Sequence, residues 1–364
     1  MVSRDQESEG RSGARSRSTP LAPLVAVVVL VGAVAGCGSD GGGGSTVTSS
    51  GPSTTTASGE ASTTSAPPGA PAGSVYDAAC NGELESPETV RVRVGPLVEA
   101  SGLAVSRDQP GVLWAHNDSG DTARVFAFGE DGRKLGIFTL EGAGATDWED
   151  LAIGPAVDDA GEPVDDADAL YLADIGDNAA GRGAVTVYRV PEPEEAAGQA
   201  PVRETIGEVD EVTFTYPDGP RDAEALFVDR ADRAFYVIEK RLAGGPVGIY
   251  RGSLAGWDAD PAVPPTLERV GTFWPGASPF ASVTGADLSA DGSVLAVRTY
   301  GSVRLFERPA GTDIADVLGG EPCTGPVPVE AQGEAVAVAP DASAYYTLPE
   351  GERPRLSRWA PATP

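Results

Sequence analysis

The chain is 364 residues long, 41% hydrophobic but only 6% aromatic, and carries a formal charge of -28 at pH 7. That much negative charge disfavours nucleic acid or anionic lipid as a partner and suits cations. A single histidine, His116, excludes a histidine-rich zinc site, and neither a Gly-x-Ser-x-Gly elbow nor a phosphate-binding glycine loop is present.

At the N-terminus, Arg4, Arg11, Arg15 and Arg17 precede an apolar run from Leu21 to Gly36, too short for a typical spanning helix. The run ends in Val34-Ala35-Gly36-Cys37. This resembles the lipobox of bacterial lipoproteins. The resemblance implies that residues 1–36 are a signal peptide and that Cys37 is acylated. The protein would then be anchored to a membrane and face the outside of the cytoplasm. Without residues 1–36, 22 basic and 51 acidic residues remain. Residues 37–73 are dominated by Gly, Ser, Thr, Ala and Pro and read as a flexible tether with a reach of about 30–35 Å.

Residues 74–364 read as one all-β domain. Five stretches repeat one pattern, a small or acidic residue running into an alternating apolar strand. They are Ser101 to Val105, Glu149 to Ile153, Glu224 to Val228, Ala286 to Ser289 and Glu334 to Val338. Each is followed by a second apolar strand, such as Val112 to Ala115 or Ala234 to Val237. Aligned on Leu103, Leu151, Leu226, Leu288 and Val336, the steps are 48, 75, 62 and 48 residues. A four-stranded blade needs roughly 40–50 residues, so the pattern predicts a β-propeller of five blades. A sixth would fit in the longest gap, and a β-sandwich is the rival architecture. The last blade shows only three strands, and Thr89 to Val94 is expected to close it. Cys80 precedes that strand and Cys323 lies between the last two blades. In an oxidising compartment they are expected to pair and pin the ring shut, stabilising it by up to roughly 5 kcal/mol.

A propeller points one equivalent residue per blade at the axis. Here those are Ser101, Glu149, Glu224, Glu334 and, out of register in the fourth repeat, Thr284. Converging carboxylates repel unless protonated or bridged by a cation, and calcium accepts such loose all-oxygen sites. The arrangement is similar to that of the five-bladed calcium-activated nucleotidases of the apyrase family, which implies an axial calcium. The glutamates could instead cap backbone amides.

A second set follows the second strands: His116, Asn117 and Asp118; Asp174, Asp177 and Asn178; Lys240 and Arg241; and Arg298. The phrases Asp147-Trp148-Glu149-Asp150, Asp174-Ile175-Gly176-Asp177-Asn178 and Asp222-Ala223-Glu224-Ala225-Leu226 resemble recurring motifs of bacterial phytase-like propellers. That resemblance implies a phosphate held by calcium and by Lys240, Arg241, Arg298 or Arg182. The plainer alternative is Asx-stabilised turns with salt bridges to the same basic residues. Two functions follow: a monomeric, membrane-anchored propeller binding calcium and a ligand, or a calcium-dependent phosphohydrolase acting on phosphoesters. If the lipid on Cys37 is the anchor, Cys37→Ser releases the protein from the membrane fraction; retention at the wild-type level refutes it.

Overall fold

The structure is a computed structural model describing residues 70–362 apart from 72, 159, 195–200 and 258–261. The expected signal peptide, Cys37 and nearly all of the tether lie outside the described residues. Among those described, five small sheets form a ring, a five-bladed β-propeller. The innermost strands are Ala100–Val105, Trp148–Val157, Ala223–Asp229, Val283–Leu288 and Gly333–Val338. Each packs on the next and the fifth returns to the first. Four are buried along their whole length because a neighbouring blade covers each face. Outer strands such as Glu88–Arg91 and Val202–Ile206 are largely exposed. The apolar core is accordingly divided into five clusters, one between each adjacent pair of blades.

Ring closure follows the sequence reading. Glu88–Arg91 pairs antiparallel with Arg355–Trp359 and supplies the missing strand of blade 5, although pairing stops at Arg91 rather than Val94. Cys80, on the short helix Val75–Asn81, is bonded to Cys323 on the outer strand of blade 4, with a Cα–Cα distance of 5.0 Å. The N–H of Ala70, the first described residue, donates to Glu307.

Five blades are found as expected, one open alternative closes, and one expectation needs correction. The longest gap holds no sixth blade among the described residues. Its surplus goes into the long hairpin from Trp148–Val157 to Pro163–Asp174 and into Val202–Ile206. That strand crosses to blade 1 and pairs parallel to Lys134–Leu140. Thr284, in turn, is not out of register. The fourth repeat aligns on Ala286 rather than Leu288, because the inner strand shifts register at Thr284 just as its neighbours do at Glu224 and Glu334.

That shift recurs in every blade. The register breaks between Ala100 and Leu103, Trp148 and Asp150, Ala223 and Ala225, Val283 and Gly285, and Gly333 and Ala335. Each break encloses one of the five ring residues. A bulge re-aims its residue out of the alternating pattern, and here it does so around one end of the axis.

Directly beneath lies Asp150, fully buried. Its Oδ1 accepts from the N–H of Leu151 in its own blade; its Oδ2 accepts from Leu226 in blade 3 at 2.8 Å and from Ala286 in blade 4 at 3.0 Å. At this point the other strands carry Gly102, Ala225, Gly285 and Ala335, which leaves room for one side chain. A Cβ added to Gly102 would lie 2.6 Å from the Leu151 nitrogen. Asp287 makes a similar link lower down, from blade 4 to the N–H of Val338 in blade 5. Asp150→Ala orphans three buried N–H groups, each costing about 1–3 kcal/mol, so a loss of about 3–5 kcal/mol is expected by urea unfolding. Unchanged stability would show that Asp150 does not fasten the blades.

Candidate functional site

The face of the ring that carries the bulges is built from the first residues of the inner strands and the last residues of the second strands, which pair there: Ala223 with Glu239, Val283 with Thr299, Gly333 with Pro349. Around the axial mouth the five ring residues take different roles. Ser101 donates to the carbonyl of Glu149 in the next blade, and Thr284 donates to the carbonyls of Gly333 and Glu334. Both hydroxyls thus lace adjacent blades together. The three glutamates are buried.

Glu224 forms a buried ion pair with Lys240, whose ammonium also lies 5.4 Å from the centre of the Tyr300 ring. Burial alone would lower the Lys240 pKa; Glu224, Tyr300 and Glu334 outweigh it and hold the group above its usual range. On this side of the mouth, the compensating positive charge is therefore the protein's own. Glu334, 4% exposed, has an Oε2 with no hydrogen-bond partner. Burial pushes its pKa up, against the pull of Lys240 and Arg298.

In the neighbouring blades 1 and 2, Asp118, Asp147 and Glu149 each bring a carboxylate oxygen within 4.8 Å of the other two. Burial, then the charges of Asp118, Asp222 and Asp174, pushes Asp147 up to about 6 against the pull of Arg182. Glu149 is raised well above its ordinary value by burial and by Glu224, Asp118 and Asp147. Glu350, at the end of blade 5, is pushed up to about 8 by burial and then by Glu334, Asp118 and Glu99. Gly176 lets the carboxylates converge: a Cβ there would sit 2.6 Å from Asp147 Oδ2 and would also overlap Glu149. A pocket of carboxyls short of positive charge can hold a divalent cation through oxygen alone, or an ammonium or guanidinium group.

The other sequence-predicted residues divide clearly. His116 is fully buried, edge-on to Trp148 at 5.3 Å, with Nδ1 2.9 Å from the Asn117 carbonyl. Burial lowers its pKa, and the ring is enclosed by the fold rather than open to the mouth. Asn117 ties down the preceding turn by accepting from Val98 and Glu99 and donating to Pro96. Asp174 accepts from the N–H groups of Thr146 and Asp147 and pairs with Arg182 at 2.8 Å. Asp177 accepts from Gly181 and Arg182, and Asn178 is exposed. Arg241 pairs with Glu239. Arg298, fully buried, donates to the carbonyls of Ala335 and Leu348 and to Glu330. Asx turns and ion pairs thus describe most of this second set, and only Asp118 and Lys240 reach the mouth.

Asp147 and Asp222, noted in sequence only as parts of motifs, join the mouth together with Tyr300 and Glu350, none of them among the predicted site residues. A signal existed for the first two: Asp-x-Glu recurs at Asp147-Trp148-Glu149 and Asp222-Ala223-Glu224, placing a second carboxyl just outside each bulge. Asp222 accepts from the N–H of Asp177 and adds to the repulsion on Asp118 and Asp147.

No protein-family model and no curated protein matches the chain. Among solved structures it is similar to a Bacteroides uniformis protein provisionally named a 6-phosphogluconolactonase, with a TM-score of 0.32 and 12% identity, covering 71% of this chain and 66% of that one. At that distance the likeness carries no argument about chemistry. What fold and site define together is a five-bladed propeller with an acidic axial mouth and one built-in lysine.

The Lys240–Glu224 pair makes its own prediction. Lys240→Met leaves Glu224 buried without its cation and is expected to cost about 3–5 kcal/mol, whereas Lys240→Met with Glu224→Leu recovers most of that loss. Equal unfolding midpoints for the single variant and wild type would dissolve the pair as a structural unit.

Proposed function

We propose that this protein is a monomeric, lipid-anchored extracytoplasmic propeller that binds a divalent cation, calcium, together with a ligand at its axial mouth. The observation that carries the reading is the convergence of Asp118, Asp147 and Glu149 around the cradle left by Gly176. The donors are all oxygen, and they come from two blades tied together by the Ser101 hydroxyl on the Glu149 carbonyl, which suits calcium's preference for carboxylates in loose geometry. Glu334, with its buried and unpartnered Oε2, is a further acceptor that fits this role. The anchor rests on the sequence around Cys37, and the Cys80–Cys323 bond agrees with an oxidising compartment. In this reading calcium binds off the centre of the five ring residues, toward blades 1 and 2, a position supported by the pairing of Glu224 with Lys240.

The phosphohydrolase reading draws less support. Each basic residue it would use is already engaged: Lys240 by Glu224, Arg241 by Glu239, Arg182 by Asp174 and Arg298 by Glu330. A phosphate would also meet a surplus of carboxylates.

Calcium titration calorimetry of the detergent-solubilised full chain tests the reading. Saturable binding is expected for wild type, and at least tenfold weaker binding for Asp147→Asn and for Gly176→Ala, whose methyl group fills the cradle. Absence of binding by wild type ends the metal reading. A pH profile gives an independent check. In chelator, Asp147 and Glu350 titrate at about 6 and about 8 in the folded state, against roughly 4 when unfolded. The folded state therefore keeps protons that the unfolded chain has released. Their stabilising contribution is complete below pH ~4 and is lost as pH rises through both folded values, so the melting temperature falls across that window. Calcium replaces those protons and flattens the slope; identical profiles in calcium and chelator contradict the proposal.

A further inference from the structure

Among the described residues seven large hydrophobic side chains are exposed, and five of them lie on loops at the mouth face: Val98, Leu242, Trp274, Phe280 and Val329. Val98 and Val329 stand on the approaches to the inner strands of blades 1 and 5. The other three are 60–67% exposed and sit on two loops of blades 3 and 4. These loops are laced together: Gly245 donates to the Gly276 carbonyl at 2.7 Å, and Ser282 Oγ donates to the Arg241 carbonyl at 2.9 Å. Phe280 belongs to the short 3-10 turn Pro279–Ala281, and its carbonyl accepts from Gly301, the residue after the mouth-lining Tyr300. An ordered apolar shelf thus borders the acidic mouth on one side.

Scattered single hydrophobics need no explanation, but exposed apolar residues gathered on one face mark an interaction site. Charge fixes the kind of partner. Asp118, Asp147, Glu149, Glu334 and Glu350 outnumber the cations that act on them, Lys240, Arg182 and Arg298, and each of those is already paired, with Glu224, Asp174 and Glu330. An acidic peptide or an anionic membrane would be repelled. A partner with only apolar residues would leave the carboxylates uncompensated. We propose that the mouth face docks a polypeptide segment of a partner protein that presents a lysine or arginine to the acidic mouth and apolar or aromatic side chains to the shelf of Leu242, Trp274 and Phe280. The proposal names the ligand in the function put forward above and rests on that half of it alone; it requires no metal. Because the loops are held by their own hydrogen bonds, little ordering accompanies docking.

The test uses the full chain in detergent and two synthetic peptides of equal charge, one with lysine and arginine interleaved with leucine and tryptophan, the other with the same charges interleaved with glycine. Binding is measured by calorimetry in chelator and again in calcium. The apolar-basic peptide is expected to bind at least tenfold more tightly than its glycine counterpart. Leu242→Ser and Phe280→Ser should each weaken it about tenfold, whereas Val263→Ser, at an exposed residue on the opposite face, should not. Raising salt from about 50 to about 500 mM should weaken binding further, as for any charge-assisted contact. Equal binding of the two peptides, or indifference to Leu242→Ser and Phe280→Ser, overturns the proposal. Calcium binding that persists while the peptide fails sinks this inference alone; a peptide bound in chelator by a protein that ignores calcium upholds it and removes the metal.

Discussion

A carboxylate buried on the axis of a β-propeller holds three blades at once, and much of the architecture can be read as making room for it. Asp150 takes one N–H from its own blade and one each from blades 3 and 4. Burial pushes its pKa well above the ordinary carboxylate value, against the pull of the three N–H donors. Five inner strands converge here, and only one can carry a side chain with reach. Hence the alanines and glycines on the other four. The link is polar and directional, whereas the apolar clusters between blades are not. Apolar packing can bring blades together, but it specifies their relative height poorly. The Asp150 and Asp287 hydrogen bonds set that height, and with it the level at which the mouth residues meet.

The mouth inherits its geometry from this constraint. Because the bulge immediately precedes the axial contact in each strand, the bulged residue is held at one level in all five blades. Two of the five, Ser101 and Thr284, use their hydroxyls to reinforce the seams between blades. The three glutamates remain for charge. Lys240 then breaks the symmetry by neutralising one of them, so the unsatisfied negative potential is displaced toward blades 1 and 2.

Much of this was legible in the sequence. The blade number follows from the repeat length, and the ring residues follow from a polar residue interrupting an otherwise apolar strand at the same point each time. The fourth repeat misled because Ala286-Asp287-Leu288 imitates Glu149-Asp150-Leu151, though Asp287 lies two residues further along its strand. The parallel addition of Val202–Ile206 was illegible: an edge strand's sequence does not name its partner, and its partner lies in the previous blade. Nor could composition reveal that Lys240 is spent on Glu224, since that contact depends on the hairpin pairing of two strands. Asp147 could have been found from the repeated Asp-x-Glu. Glu350 could have been found too, since it follows the second strand of blade 5 just as Lys240 follows that of blade 3.

The decisive distinction among the many acids is what their oxygens accept. Asp150, Asp174, Asp177 and Asp287 take backbone N–H groups and hold loops or blades in place. Asp147, Glu149 and Glu350 have raised pKa values and accept no backbone N–H among the described residues, and Glu334 leaves one buried oxygen without a partner. Crowding such groups destabilises the free protein, because each must be protonated or endure its neighbours' charge. Carboxylates serving only as caps would not need to be gathered at one point, and glutamine would fill the same volume without repulsion. Local rules of stability are broken mainly at functional sites. The concentration of carboxyls without backbone partners around one end of the ring is therefore the strongest physical reason to place the function there, and it requires that whatever binds bring positive charge.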